Sequence, residues 1–104
     1  MVQRAVDTYG TISILVNNAY GSPPNGVSSA GSALDLDPAG WDFAMAIGLR
    51  SHFLAAKHAL PHMIAAGGGS IVNISSVHGL CSARGNLAYS SLKAGVSTSC
   101  AASI

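Results

Sequence analysis

Apolar and polar positions along this chain group into blocks with two distinct periods. Val2, Ala5, Val6 and Tyr9 recur at steps of three and four, the spacing of one helix face, and Gly10 follows as a C-terminal stop. Ile12 to Asn17 (ISILVN) is an almost unbroken apolar, β-branched run. That pattern predicts a strand covered on both faces, as in a parallel sheet. Tyr20 to Ser32 is rich in Gly, Pro and Ser and predicts a loop. Asp37 and Pro38 then read as an N-cap and first helical position. From there Trp41, Met45, Leu49, Phe53 and Ala56 form an apolar stripe at helical spacing. Pro61 is expected to kink or loosen the end of this helix, and Gly67, Gly68 and Gly69 to terminate it. Ser70 to Ser75 predicts a second strand and Ser76 to Gly85 a loop. A last helix begins near Asn86 and runs to Ile104 without a cap.

The order helix, strand, long helix, strand, helix is a βαβ unit with flanking helices, which requires parallel strands and a right-handed crossover. The fold class is therefore α/β, part of a Rossmann-like, doubly wound domain. Two strands alone do not make a stable sheet. The helix tail at one end and the uncapped helix at the other lead to the expectation of a central piece of one longer domain.

Composition agrees. Only 9% of the 104 residues are charged, against about 25% in typical globular proteins. A small domain has much surface to cover, so scarce charge implies that a larger body or an oligomer covers part of it. The net charge is +1, and Arg4, Arg50, Lys57, Arg84 and Lys93 are scattered. Nothing here suits nucleic acid or an anionic membrane surface. No apolar run approaches the roughly 20 residues of a membrane span, and the first ten residues are too polar for a secretory signal. Cys81 and Cys100 lack CxxC spacing and metal-ligand partners, so free thiols in a reducing cytoplasm are expected.

The chemistry gathers after the two strands, where open parallel sheets bind ligands. The first strand ends in Asn17, Asn18, Ala19 and Tyr20; the second leads into Ser75, Ser76, Val77, His78 and Gly79. Tyr89 and Lys93 follow, four apart on the last helix. A phenol has an unperturbed pKa of about 10, so ionising it at neutral pH costs on the order of 4 kcal/mol. A lysine one turn away lowers that cost by stabilising the phenolate. A serine hydroxyl can hold a substrate oxygen as charge develops on it. Ser76, Tyr89 and Lys93 thus suit proton transfer to or from an alcohol or carbonyl oxygen. They carry no hydride, which requires a redox cofactor. His58 and His62 share the spacing of a helical metal pair, but no H-E-x-x-H motif or third ligand accompanies them, and a polar helix face without metal is expected. His52 has no partner pattern; His78 is placed to line a pocket mouth.

ILVNNAY, GSIVNISSVHG and AYSSLKAG together resemble the central and catalytic segments of the short-chain dehydrogenases/reductases, over about Val2 to Val96. A lone Y-x-x-x-K is weak; joined to the NNA strand end, to Ser76 thirteen residues before Tyr89, and to the intervening helix, it is specific. The resemblance implies an NAD- or NADP-dependent oxidoreductase interconverting a secondary alcohol and a ketone. Tyr89 would be the acid/base, Lys93 would lower its pKa and bind the nicotinamide ribose, and Ser76 would orient the substrate oxygen. Asn17, Asn18 and Ala19 would lie along the cofactor. In the family the long helix and the tyrosine-bearing helix often pair across a dimer, so a homodimer or homotetramer is expected.

Three departures stand out. The family's catalytic asparagine in the long helix, which helps hold a water in a proton relay, aligns with Gly48. Tyr20 replaces the usual glycine after NNA, with Gly21 available to supply the turn's freedom. The glycine-rich T-G-x-x-x-G-x-G cofactor loop is absent, and Gly67 to Gly69 cannot replace it, because they follow a helix and precede a strand. A non-catalytic remnant or dinucleotide-binding module is therefore the alternative function. The segment by itself is expected to be inactive.

Overall fold

The computed structural model describes the backbone of residues 1–101 and the side chains of residues 1–99. The expectations of a free thiol at Cys100 and of a helix reaching Ile104 lie outside the described residues. The element order is α1 (Val2–Tyr9), β1 (Ile14–Asn17), α2 (Pro38–Met45), α3 (Ser51–Ala65), β2 (Ser70–Asn73) and α4 (Leu87–Ala101). A π-helical segment, Ala46–Arg50, joins α2 to α3, and a 3-10 turn, Val77–Gly79, lies between β2 and α4. No described helix is long and apolar enough to cross a membrane.

Local chemistry accounts for the boundaries. Gly10 closes α1 in the left-handed region at φ 86°, donating its N–H to the Val6 carbonyl. The Asp37 carboxylate caps α2 by accepting from the Ala39 N–H at 2.7 Å, with Pro38 at the first position. α3 passes through Pro61 and ends four residues later at Ala65. The missing N–H of Pro61 removes one hydrogen bond in the closing turns without ending the helix. Gly67 and Gly68, at φ 93° and 149°, then turn the chain back toward the sheet in conformations that side chains resist.

β1 and β2 pair in parallel with Asn17 opposite Asn73, as the βαβ pattern requires. Both strands are two residues shorter than the sequence pattern indicates. Val2, Leu15, Ala59 and Met63 form one core cluster, joining α1 and α3 to the sheet. The expected double covering of the strand is not seen: Ile14 and Val16, on the opposite face, are 66% and 56% exposed. α1 and α3 cover only the Leu15 side, and the shortest dimension of 15 Å leaves room for two layers rather than three.

The stripe read from the long helix also changes. Trp41, Met45 and Leu49 are only partly buried, packing beside a second cluster of Ala44, Ala88 and Leu92, while Phe53 is largely exposed. The fully buried line is instead Gly40, Ala44, Gly48, His52, Ala59 and Met63. The wider π turn, in which the Ser51 N–H reaches the Ala46 carbonyl, keeps positions four apart in line from 44 to 52. On that line Ala44 and Gly48 are small enough to let α4 approach closely.

Candidate active site

The parallel strands end side by side in two asparagines. Asn17 is buried, and its Nδ2 donates to Asn73 Oδ1 at 2.8 Å. The Ile74 N–H continues the ladder onto the Asn17 carbonyl at 3.0 Å. The Asn17 side chain is thus committed to holding the strand ends together, whereas Asn18 and Ala19 are exposed just beyond. Neither Tyr20 nor Gly21 has a positive φ, so replacing glycine after NNA brings no backbone strain.

After β2 the chain is clamped to α4. The Ser75 hydroxyl donates to the Lys93 carbonyl at 3.0 Å and also meets the Ser97 hydroxyl at 2.5 Å. Ser76 follows as the N-cap of the 3-10 turn, its Oγ accepting from the His78 N–H at 3.2 Å. That bond leaves the Ser76 hydroxyl hydrogen free to donate to a substrate oxygen. The turn sits directly on the α4 backbone. A Cβ on Gly79 would lie 2.8 Å from the Lys93 carbonyl oxygen.

Tyr89 and Lys93 share one face of α4, as their spacing indicates. Lys93 is 6% exposed, and its Nζ donates to the Ile74 carbonyl at 2.8 Å. The same ammonium lies 5.6 Å from the Tyr89 ring centroid. Tyr89 is flanked edge-to-face by Tyr20 at 5.3 Å and by His78 at 5.9 Å, contacts that fix the ring's orientation. Asn17, Ser76, Tyr89 and Lys93 are therefore brought to one end of the sheet. Ser76 and Tyr89 share no hydrogen bond among the described residues.

Several contributors escaped the sequence pattern. Asn73 could have been found as the register partner of Asn17, since both strands end in asparagine. Tyr20 and His78 as ring neighbours of Tyr89, and Ser75 as the clamp on α4, had no local signal. His78 also lines a cavity of about 270 Å³ with Cys81, Leu87, Ser90 and Ala94. A larger hollow of about 490 Å³ between α1 and α3, touching His58 and His62, includes none of the site residues. Size does not locate the chemistry here. No cluster of three metal-ligating side chains occurs among the described residues.

At the position aligned with the family's asparagine, Gly48 is buried against α4. A Cβ there would lie 2.7 and 2.8 Å from the two methyl carbons of Leu92, so this place is filled from the opposite helix.

Comparison with known proteins agrees with the geometry. The family model described as short chain dehydrogenase matches residues 1–102. The chain is 43% identical over 95 residues, 91% of its length, to trans-4-hydroxycyclohexanecarboxylate dehydrogenase of Sinomonas cyclohexanicum. It is 34% identical over 96 residues, 92% of its length, to the 3-oxoacyl-[acyl-carrier-protein] reductase FabG of Thermotoga maritima. These matches cover 34% and 37% of the relatives, so the chain spans about a third of their length. The crystal structure of acetoin dehydrogenase YohF from Salmonella typhimurium superposes with a TM-score of 0.81 at 28% identity, covering 93% of this chain and 38% of that one. On the family match and the shared fold, the chain belongs to the short-chain dehydrogenase family.

Proposed function

We propose that this segment carries the proton-handling part of an NAD- or NADP-dependent oxidoreductase that interconverts a secondary alcohol and a ketone. The observation that carries the reading is the buried Lys93 ammonium, 5.6 Å from the ring of a Tyr89 whose hydroxyl has no partner among the described residues. In the reducing direction Tyr89 gives its proton to the carbonyl oxygen; in the oxidising direction it takes the proton from the alcohol. Ser76 holds the same oxygen through its free hydroxyl hydrogen. Lys93 offsets the negative charge that develops on the tyrosine oxygen through its nearby positive charge. The nicotinamide, when bound, supplies or accepts the hydride. Asn18 and Ala19, exposed at the end of β1, and Lys93 are this chain's residues for its nicotinamide-ribose side. The residues that cradle the pyrophosphate are not in this chain.

The test follows nicotinamide absorbance in the full gene product with a panel of secondary alcohols and ketones, comparing Tyr89→Phe with the unmutated protein. Removing the acid/base lowers turnover by about 10²–10⁴; equal rates remove Tyr89 from the mechanism. Dinucleotide binding without turnover of any panel member establishes the non-catalytic module instead.

A further inference from the structure

Ser76 and Tyr89 have to meet one substrate oxygen, yet they stand on different elements and share no hydrogen bond among the described residues. His78 touches both. Its backbone N–H donates to Ser76 Oγ at 3.2 Å. Its ring packs edge-to-face on Tyr89, with centroids 5.9 Å apart and planes at 71°. The first contact occupies a lone pair of the Ser76 oxygen and leaves the hydroxyl hydrogen for the substrate. The second limits the directions in which the Tyr89 ring can lean.

The backbone beneath His78 has little freedom. Ser76 caps the 3-10 turn Val77–Gly79, and the Gly79 N–H donates to the Ser76 carbonyl at 2.9 Å. Gly79 lies so close to α4 that a Cβ there would fall 2.8 Å from the Lys93 carbonyl oxygen. The turn is thus seated on the helix that carries Tyr89, and His78 cannot shift far without unseating it. Polar chemistry of its own does not hold the ring there: Nδ1 is buried with no hydrogen-bond partner among the described residues, and an unserved buried nitrogen stabilises nothing. Beside the ring is the cavity of about 270 Å³, which His78 lines and Tyr89 does not. Shortening side chain 78 opens that space toward the Tyr89 ring.

We propose that His78 is a positioning residue that holds the Ser76 hydroxyl and the Tyr89 phenol in register with each other. It acts through its backbone N–H on one side and the packing of its ring on the other, without touching the substrate or moving a proton. The role rests on the Ser76 and Tyr89 chemistry proposed above. Both groups must lie within hydrogen-bond reach of one oxygen, and a misplacement of about 1 Å costs about 10²-fold in rate. Position 78 therefore requires a flat ring rather than an imidazole. Phenylalanine supplies the same edge and removes the unserved nitrogen.

The experiment measures kcat, KM and thermal melting for His78→Ala, His78→Phe and Tyr89→Phe in the full gene product, with the alcohol or ketone that the unmutated protein turns over fastest. His78→Ala is expected to lower kcat about tenfold or more while KM stays within about threefold. His78→Phe is expected to keep kcat within about threefold of the unmutated protein and to melt at the same temperature or higher. Unchanged kcat in His78→Ala overturns the proposal. A raised KM at constant kcat also overturns it, because that pattern belongs to a substrate-binding group. So does a phenylalanine variant that melts normally yet turns over about tenfold more slowly, which would assign the effect to the imidazole nitrogens. Full activity in Tyr89→Phe overturns the parent reading instead. The flip rate of the Tyr89 ring, read by NMR on ring-labelled tyrosine, tests the contact without turnover. Flipping is expected to be faster in His78→Ala and restored in His78→Phe; one rate in all three proteins overturns the proposal.

Discussion

Gly48→Ala is the substitution whose effect the structure specifies most closely. Its new Cβ would lie 2.7, 2.8 and 3.2 Å from Leu92 Cδ2, Cδ1 and Cγ, against about 3.5–4.0 Å for relaxed carbon contacts. Leu92 is fully buried among Ala44, Ala88, Trp41, Met45 and Leu49, so it has little room to rotate. Overpacking of this kind costs about 1–3 kcal/mol. Replacing a helical glycine by alanine gains about 1 kcal/mol, so the net loss is about 0–2 kcal/mol. Leu92→Ala alone empties the site and costs about 2–5 kcal/mol. In the double variant the overlap disappears while the helix gain remains. It is therefore more stable than the sum of the single changes by about 1–3 kcal/mol. Urea unfolding of the four proteins, compared at equal m-values, measures this coupling in the full gene product. Additivity within about 0.5 kcal/mol refutes the claim that Leu92 occupies the space at position 48.

Two further outcomes follow from the same geometry. Gly79→Ala sets a Cβ 2.8 Å from the Lys93 carbonyl oxygen and 3.1 Å from the Ala94 nitrogen, backbone atoms that cannot rotate away. The 3-10 turn bearing Ser76 must lift from α4, lowering stability by about 1–3 kcal/mol and turnover by about tenfold or more, read by thermal melting and steady-state rates. Acidification acts through His52. In the unfolded chain its imidazole titrates near 6.5, and in the fold burial and then Lys93 hold it lower. The unfolded state therefore binds more protons in that window. This part of the stability is complete above about pH 6.5 and declines as pH falls through the folded value. Urea midpoints from about pH 8 to 5 should slope less in His52→Leu than in the unmutated protein.

Much of this architecture is written in short-range pattern. Gly10, Asp37 and Pro38 act as their residue types dictate, because capping depends on a few neighbouring backbone groups. The two apolar runs are strands, and the helix between them forces parallel pairing, because a hairpin cannot span it. The Tyr89–Lys93 spacing places both on one helix face for the same geometric reason. Each of these follows from interactions within a few residues or from chain connectivity.

Which side of each helix turns inward was decided elsewhere. The most apolar stripe of the long helix, through Trp41 and Phe53, is not its most buried line. The line from Ala44 through Gly48 to His52 is buried instead, because close approach of α4 at Ala44 and Gly48 rewards small side chains and the π turn keeps these positions aligned. The same approach fills position 48 with Leu92 and joins Ser75 to the backbone of Lys93. Sequence alone determined the elements, their order and the pair of groups that can move a proton. Only the packing of α4 against the long helix and the strand ends decided what surrounds that pair. Those contacts join residues tens of positions apart, and no local period records them.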